Sequence, residues 1–197
     1  MSGTTWVHRA ARWSVRPLVG TWVKPNHITT VRLLSGIAAA AMFAVGDRQW
    51  DIWAGVVFVV SAFLDRADGE LARLSGQTSE WGHTYDVASD MTVTVITFIA
   101  IGIGLRTSAL GYWAIVMGVV TGITIAAIYQ LAFVIERSSA AKAFAGAGGF
   151  DPDDALFVIG PIAWLGALKA LLIAAVIGAP LFLLFTLLRY RQRKRAA

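Results

Sequence analysis

Long apolar runs separated by short polar stretches dominate this chain. A helix needs roughly 20 mostly apolar residues to cross a bilayer. Six runs approach or exceed that length, at 28–46, 52–74, 82–105, 109–136, 153–167 and 169–190. The pattern therefore predicts an all-α polytopic membrane protein with six transmembrane helices. Pro161 and Pro180 fall in the last two runs, where membrane helices tolerate kinks.

The first 24 residues have a different pattern from the rest of the chain. Arg9, Arg12 and Arg16 recur at spacings of three and four, and Trp13 can lie on another face. This arrangement predicts an amphipathic helix on an anionic membrane surface, with an unstructured basic tail as the alternative. The segment has no apolar stretch followed by a small-residue cleavage site, so no signal peptide is predicted.

Composition supports a membrane protein. Of the 197 residues, 57% are hydrophobic and 15% are charged, against about 25% charged in soluble domains. The chain has no cysteine, which excludes disulfides and cysteine-based metal sites or nucleophiles. We expect one membrane domain over 1–197, with a juxtamembrane segment at 1–24, the helix bundle at 28–190 and a basic tail at 191–197.

The distribution of basic residues predicts the topology. With both termini in the cytoplasm, 14 of the 17 Lys and Arg residues lie inside, and only Arg48, Arg106 and Lys169 lie outside. The positive-inside rule favours this orientation. The net charge of +5 is thus attributed to lipid headgroups, and no nucleic-acid partner is expected. Gly118 and Gly122 form a small-xxx-small pair that predicts a helix-packing or homodimer face.

Four aspartates interrupt the apolar pattern. Asp65 and Asp68 end the second predicted span, and Asp86 and Asp90 begin the third. Residues three or four apart share a helix face, so two antiparallel helices can bring all four carboxylates together. Such a cluster favours a hard divalent cation and suits phosphoryl transfer. The alternatives are helix-end aspartates facing water, or a divalent-cation transporter or channel, which would place its acids near the membrane midplane.

Small and basic residues accompany the aspartates. Gly69, Ala72 and Gly82 allow a ligand to approach the helix backbone closely, and Arg73 offers a forked donor for phosphate. Tight helix packing is the alternative explanation for the small residues. His27 and His83 lie near the same region and are further candidate contacts.

The spacing Asp65-x2-Asp68-Gly69-x2-Ala72-Arg73-x8-Gly82-x3-Asp86-x3-Asp90 resembles the signature of the CDP-alcohol phosphotransferases. The stretch "KPNHITTVR" before the first span resembles the Pro-Asn-x-x-Thr-x-x-Arg segment typical of that family. The family consists of integral membrane enzymes of phospholipid synthesis, so the resemblance implies a cytoplasmic active site at headgroup level.

The resemblance also implies a reaction and residue roles. A CDP-linked donor, CDP-diacylglycerol or a CDP-alcohol, binds with its diphosphate on two divalent ions, Mg²⁺ or Mn²⁺. An acceptor hydroxyl then attacks phosphorus, and CMP leaves. By motif position the metal ligands are Asp65, Asp68, Asp86 and Asp90, with Asp90 also the general base. The implied nucleotide contacts are Pro25, Asn26, Thr29, Gly69, Ala72, Arg73 and Gly82.

The acceptor is less well specified. Met91 follows the last aspartate where members with phosphorylated acceptors often carry Lys or Arg, which favours an unphosphorylated alcohol. Phosphatidylglycerophosphate-synthase-like or phosphatidylinositol-phosphate-synthase-like use is the alternative. Candidate acceptor contacts are Arg137, Lys142, Asp153 and Asp154. Topological charge and helix N-terminal capping explain the same residues without an acceptor.

Overall fold

The computed structural model describes residues 6–138 and 156–196, and within these ranges it is helical without any strand. The helices are α1 (Trp6–Val15), α2 (Pro25–Val45), α3 (Arg48–Ser75), α4 (Glu80–Gly104), α5 (Trp113–Ser138), α6 (Ile159–Trp164) and α7 (Leu168–Ala196). Short 3₁₀ turns follow α1 and α4, at Arg16–Leu18 and Leu105–Thr107. The predicted all-α class is confirmed.

Among the described residues, four segments are long and apolar enough to cross a membrane: Pro25–Val45, Glu80–Thr107, Trp113–Ile135 and Leu168–Gln192. The second predicted span corresponds to α3, which is 28 residues long but carries several charges in its C-terminal half. The described part of the fifth predicted span contains a 3₁₀ turn at 156–158 and α6, a helix of six residues. The count of six spans therefore stays a prediction.

Short, well-capped connections determine how α2, α3 and α4 pack. Gly46 ends α2 in the left-handed conformation, and the Asp47 side chain accepts a hydrogen bond from the N–H of Gln49 to begin α3. Gly76 ends α3 in the same way, and the Ser79 hydroxyl caps α4. Because these connections are so short, α3 runs antiparallel to both α2 and α4. The end of α3 and the beginnings of α2 and α4 consequently meet at one end of the bundle.

The core lies between α2, α3 and α4, with α5 to α7 around them. Phe43, Phe58, Phe98 and Ile101 form its large apolar members. A Cβ atom on Gly36 of α2 would lie 2.6 Å from the Val93 side chain of α4. This close approach of the two helices depends on the absence of a side chain at Gly36.

The predicted glycine pair packs within the chain, between α5 and α4. A Cβ atom on Gly118 would lie 2.6 Å from the carbonyl oxygen of Phe98, and one on Gly122 would lie 3.2 Å from the Val95 side chain. Gly118 and Gly122 thus form a helix-packing face. The homodimer stays a prediction.

The N-terminal segment contains a ten-residue helix, α1, that packs on α3. Val7, Ala11 and Val15 are buried along one face of α1, as the 3.6-residue period requires. Val15 joins a small cluster with Ala67 and Leu71 of α3. The apolar side of α1 is therefore covered by protein, and its position on a membrane surface stays a prediction.

We predict that Gly118→Ala lowers the free energy of unfolding by about 1–3 kcal/mol, because the new methyl group meets a backbone carbonyl that cannot move aside. Gly178→Ala in α7 is the matched control, since no atom lies within 4 Å of a Cβ atom built there. Thermal unfolding midpoints of the purified variants in detergent test this. Equal midpoints for the two variants would contradict the packing of α4 against α5.

Candidate active site

Three of the four predicted aspartates converge where α3 and α4 meet. Carboxylate oxygens of Asp65, Asp68 and Asp86 all lie within 4.8 Å of one another. Asp68 is buried, whereas Asp65 and Asp86 are partly exposed. The helical spacing and the tight connection between α3 and α4 are sufficient to bring these three side chains together.

Asp90 joins the group through an arginine on α2. Nη1 of Arg32 lies 2.9 Å from Oδ1 of Asp65 and 2.7 Å from Oδ1 of Asp86, and Nη2 pairs with Asp90. Only 2% of the Arg32 side chain is exposed. A single buried guanidinium therefore connects α2 to carboxylates on both α3 and α4.

Arg32 does not balance the full charge that this cluster can carry. If all four carboxylates ionise, one guanidinium leaves three negative charges, and Nη1 of Arg66 lies 3.7 Å from Oδ2 of Asp65. Close carboxylates in a partly dry site repel unless a cation compensates them. An all-oxygen donor set fits a hard divalent ion. Asp65, Asp68 and Asp86 could hold such an ion.

Two hydroxyl groups bond to residues of this cluster, one to a carboxylate and one to the backbone. Thr29 of α2 donates a buried hydrogen bond of 2.7 Å to Oδ2 of Asp68. Ser61 of α3 donates one of 2.9 Å to the Arg32 carbonyl oxygen. Hydrogen bonds behind a ligand carboxylate restrict its rotation and prepare it for a cation.

A polar cavity of about 190 Å³ borders the carboxylates, between the first turns of α2 and α4 and the end of α3. All seven residues predicted to contact the nucleotide line it, together with Asp68, Asp86, Gln77, Thr78, Ser79 and His83. A Cβ atom on Gly82 would lie 3.4 Å from Oδ1 of Asn26, so glycine keeps this part of the cavity open.

A second cavity, of about 410 Å³, lies on the other side of Asp86 between α4, α5 and α7. Its lining is mainly apolar and includes Phe98, Ile128 and Phe182. Asp90 borders this cavity, while Asp86 and His83 line both. A polar and an apolar space therefore meet at the carboxylates.

The predicted acceptor contacts fall mostly outside the described residues. Lys142, Asp153 and Asp154 lie there, as does Asp151, and Arg137 is in the last turn of α5 with a side chain that is not described. His27 accepts a hydrogen bond from the backbone N–H of Lys24, which makes it part of the α2 cap.

The sequence analysis did not predict Arg32 as a site residue, although Arg32 ends the Pro-Asn-x-x-Thr-x-x-Arg segment. One feature of the sequence could have identified it. Arg32 is the only charged residue in the run 28–46, and a lone charge in a membrane helix needs a counter-charge.

The sequence profile of CDP-alcohol phosphatidyltransferase matches residues 22–192. A CDP-diacylglycerol–glycerol-3-phosphate 3-phosphatidyltransferase of Cereibacter sphaeroides is 38% identical over 81 residues, which is 41% of this chain and 37% of the relative. The archaetidylinositol phosphate synthase of Pyrococcus horikoshii is 30% identical over 89 residues, which is 45% of this chain and 46% of the relative. Each alignment thus spans less than half of the relative's length.

The fold is similar to a solved structure of a Mycobacterium tuberculosis phosphatidylinositol phosphate synthase with CDP-DAG bound. The superposition has a TM-score of 0.64 at 17% identity and covers 92% of both chains. At this identity the likeness establishes a shared fold.

We predict that Arg32→Gln destabilises the metal-free protein by about 3–5 kcal/mol, because it removes a buried cation and leaves three partly buried carboxylates without their counter-charge. Added Mg²⁺ or Mn²⁺ should then raise the unfolding midpoint more than in the wild type. Arg106→Gln is the control, since this exposed arginine at the far end of α4 bonds only to carbonyl oxygens. A metal-free midpoint like that of the control would contradict the role given to Arg32.

Proposed function

Because this chain belongs to the CDP-alcohol phosphatidyltransferase family, we propose that it transfers a phosphatidyl or phosphoalcohol group from a CDP-linked donor to an acceptor hydroxyl, releasing CMP. A single observation carries this proposal. The polar cavity lined by all seven predicted nucleotide contacts also borders Asp68 and Asp86. A nucleotide in that cavity would have its phosphates beside the carboxylates.

The two cavities support a lipid-linked donor. A cytidine diphosphate needs a polar space, and acyl chains need an apolar one. Both spaces share Asp86, where the diphosphate of such a donor would lie. The similar M. tuberculosis structure has CDP-DAG bound, which also favours CDP-diacylglycerol as the donor.

Asp65, Asp68 and Asp86 would hold the divalent ion, and Asp90 would contribute to a second, with Mg²⁺ or Mn²⁺ the expected metal. Such ions, when bound, neutralise the diphosphate and favour ionisation of the acceptor hydroxyl. Thr29 fixes the orientation of Asp68 for this purpose. Arg32 supplies part of the positive charge without depending on an ion.

Asp90 is the proposed general base. Arg32 holds one of its oxygens, and the side chain borders the apolar cavity near Asp86. Asp90 takes the proton of the acceptor hydroxyl, whose oxygen forms a bond to the donor phosphorus. The bond between that phosphorus and the CMP oxygen breaks, and CMP leaves with the electron pair. Arg73 is placed to bind a phosphate of the nucleotide.

Both named relatives carry a phosphorylated alcohol in their names, which supports glycerol 3-phosphate or an inositol phosphate as acceptor. Met91 after Asp90 still favours an unphosphorylated alcohol as the alternative. Arg137 and Lys142 are the candidates to bind an acceptor phosphate, and Asp153 and Asp154 to bind acceptor hydroxyls.

The proposed setting is the cytoplasmic face of a membrane. We infer a single membrane domain of six spans, with both termini and the carboxylates inside and α1 at the interface. The carboxylates gather toward one end of α3 and α4, beside a cavity, whereas a cation pathway would distribute them through the bundle. The divalent-cation transporter alternative is therefore not supported.

The first experiment is CMP release by the purified protein with Mg²⁺ or Mn²⁺. CDP-diacylglycerol would be offered with glycerol 3-phosphate, inositol 1-phosphate, inositol, serine and glycerol. A parallel set would offer CDP-choline and CDP-ethanolamine with diacylglycerol. Release with one pair that EDTA abolishes would support the proposal. The absence of both CMP release and CDP binding in every combination would overturn it.

We predict that Asp90→Asn lowers kcat by roughly 10²- to 10⁴-fold, the usual effect of losing a general base. CMP affinity should change little, because Asp90 does not line the polar cavity. Asp51→Asn, in the first turn of α3 at the opposite end, is the matched control. Full activity of Asp90→Asn would exclude Asp90 as the base.

A further inference from the structure

A buried carboxylate outside the aspartate cluster connects two arginines and a histidine. Glu70 of α3 is 2% exposed, and its Oε1 accepts a 2.8 Å hydrogen bond from Nη2 of Arg73. Nε of Arg12, on α1, donates to Oε2 at 2.9 Å. Nδ1 of His8, also on α1, lies 3.2 Å from Oε1. Both carboxylate oxygens of Glu70 are therefore held.

Glu70 and the polar cavity share one residue, Arg73. Glu70 is two positions after Asp68, so the two side chains point to different sides of α3, and Glu70 does not line the cavity. Arg73 does line it. A Cβ atom on Gly69 would lie 3.5 Å from Nη2 and 3.6 Å from Nη1 of Arg73. The guanidinium thus lies across Gly69, is bonded to Glu70 and borders the cavity.

The bond to Glu70 restricts the rotamers of the Arg73 side chain. About half of the Arg73 side chain is exposed (52%). A long exposed arginine loses much rotamer freedom when it binds a ligand, and that loss weakens binding. A buried acceptor that fixes the guanidinium beforehand reduces the loss. Arg12 bonds to the other carboxylate oxygen, Oε2, and connects α1 to α3 without contacting the oxygen that accepts from Arg73.

We propose that Glu70 is a positioning residue of the nucleotide site, which holds Arg73 across Gly69 ready to bind a phosphate of a cytidine nucleotide. This inference rests on the proposed function and extends it to a residue outside the family signature. Glu70 acts through Arg73 and itself touches no substrate.

Isothermal titration of CMP with Mg²⁺ tests the proposal, on detergent-purified full-length wild type, Glu70→Gln, Arg73→Gln and the double variant. We expect Glu70→Gln to weaken CMP binding by about tenfold, within the range of coupled contacts. In the Arg73→Gln background the same change should have no further effect. In turnover, KM for the donor should rise in Glu70→Gln with little change in kcat.

Arg12→Gln distinguishes two roles of Glu70, the positioning of Arg73 and the anchoring of α1 to α3. It removes the other strong partner of the same carboxylate and leaves Arg73 in place. We expect both Arg12→Gln and Glu70→Gln to lower the unfolding midpoint, but only Glu70→Gln to weaken CMP binding by about tenfold. Glu70→Asp, which keeps the charge but shortens its reach, serves the same comparison if Glu70→Gln does not fold.

Two results would overturn the proposal while leaving the proposed function standing: additive effects of the Glu70 and Arg73 changes, or an equal loss of affinity in Arg12→Gln. Absence of CMP binding by the folded wild type would be different, because the proposed function would then fail together with the role of Glu70.

Discussion

The arrangement of this bundle depends on the ion pairing of Arg32 with Asp65, Asp86 and Asp90. Carboxylates on two neighbouring helices repel each other, and a buried cation between them turns that repulsion into an attraction. α2 supplies the cation from a position where it reaches both α3 and α4. The packing of α2 against α3 and α4 and the charge balance of the site therefore depend on the same residue, Arg32.

One stripe of α2 satisfies this constraint. Thr29, Arg32 and Gly36 follow one another at spacings of three and four, and all contact α3 or α4. Thr29 bonds to a carboxylate, Arg32 pairs with three, and Gly36 lets α4 approach to van der Waals distance one turn further along. Because polar contacts and close packing share one helix face, the carboxylates cannot move apart without disturbing the core.

The sequence was sufficient for the features that depend on local spacing. The motif placed Asp65, Asp68 and Asp86 together, its small residues were found around the polar cavity, and the family resemblance is confirmed by the match over 22–192. The sequence did not predict the contacts between distant segments. The partners of Arg32, and the two partners of Glu70 on α1, lie on other helices, 33 to 62 residues away.

Two further features could not be predicted from the sequence, because a pattern of residues does not specify the partner of a helix face. Gly118 and Gly122 could face α4 or a second copy of the chain, because a small residue permits close approach to any helix. The apolar face of α1 could bury itself in lipid or in protein, and it packs on α3. Periodicity identifies a face that will be covered. It does not identify what covers it.

α3 shows most clearly how the proposed chemistry shapes the fold. Its C-terminal half is too charged to satisfy a simple hydropathy criterion, yet its main charges have partners on other helices. Arg32 pairs with Asp65, Thr29 bonds to Asp68, and Arg12 pairs with Glu70. α1 and α2 thus supply polar partners to the helix that carries five of the eight signature residues. The site accordingly extends beyond the signature, and substitutions of Thr29 or Arg32 in α2 should affect it as directly as those in α4.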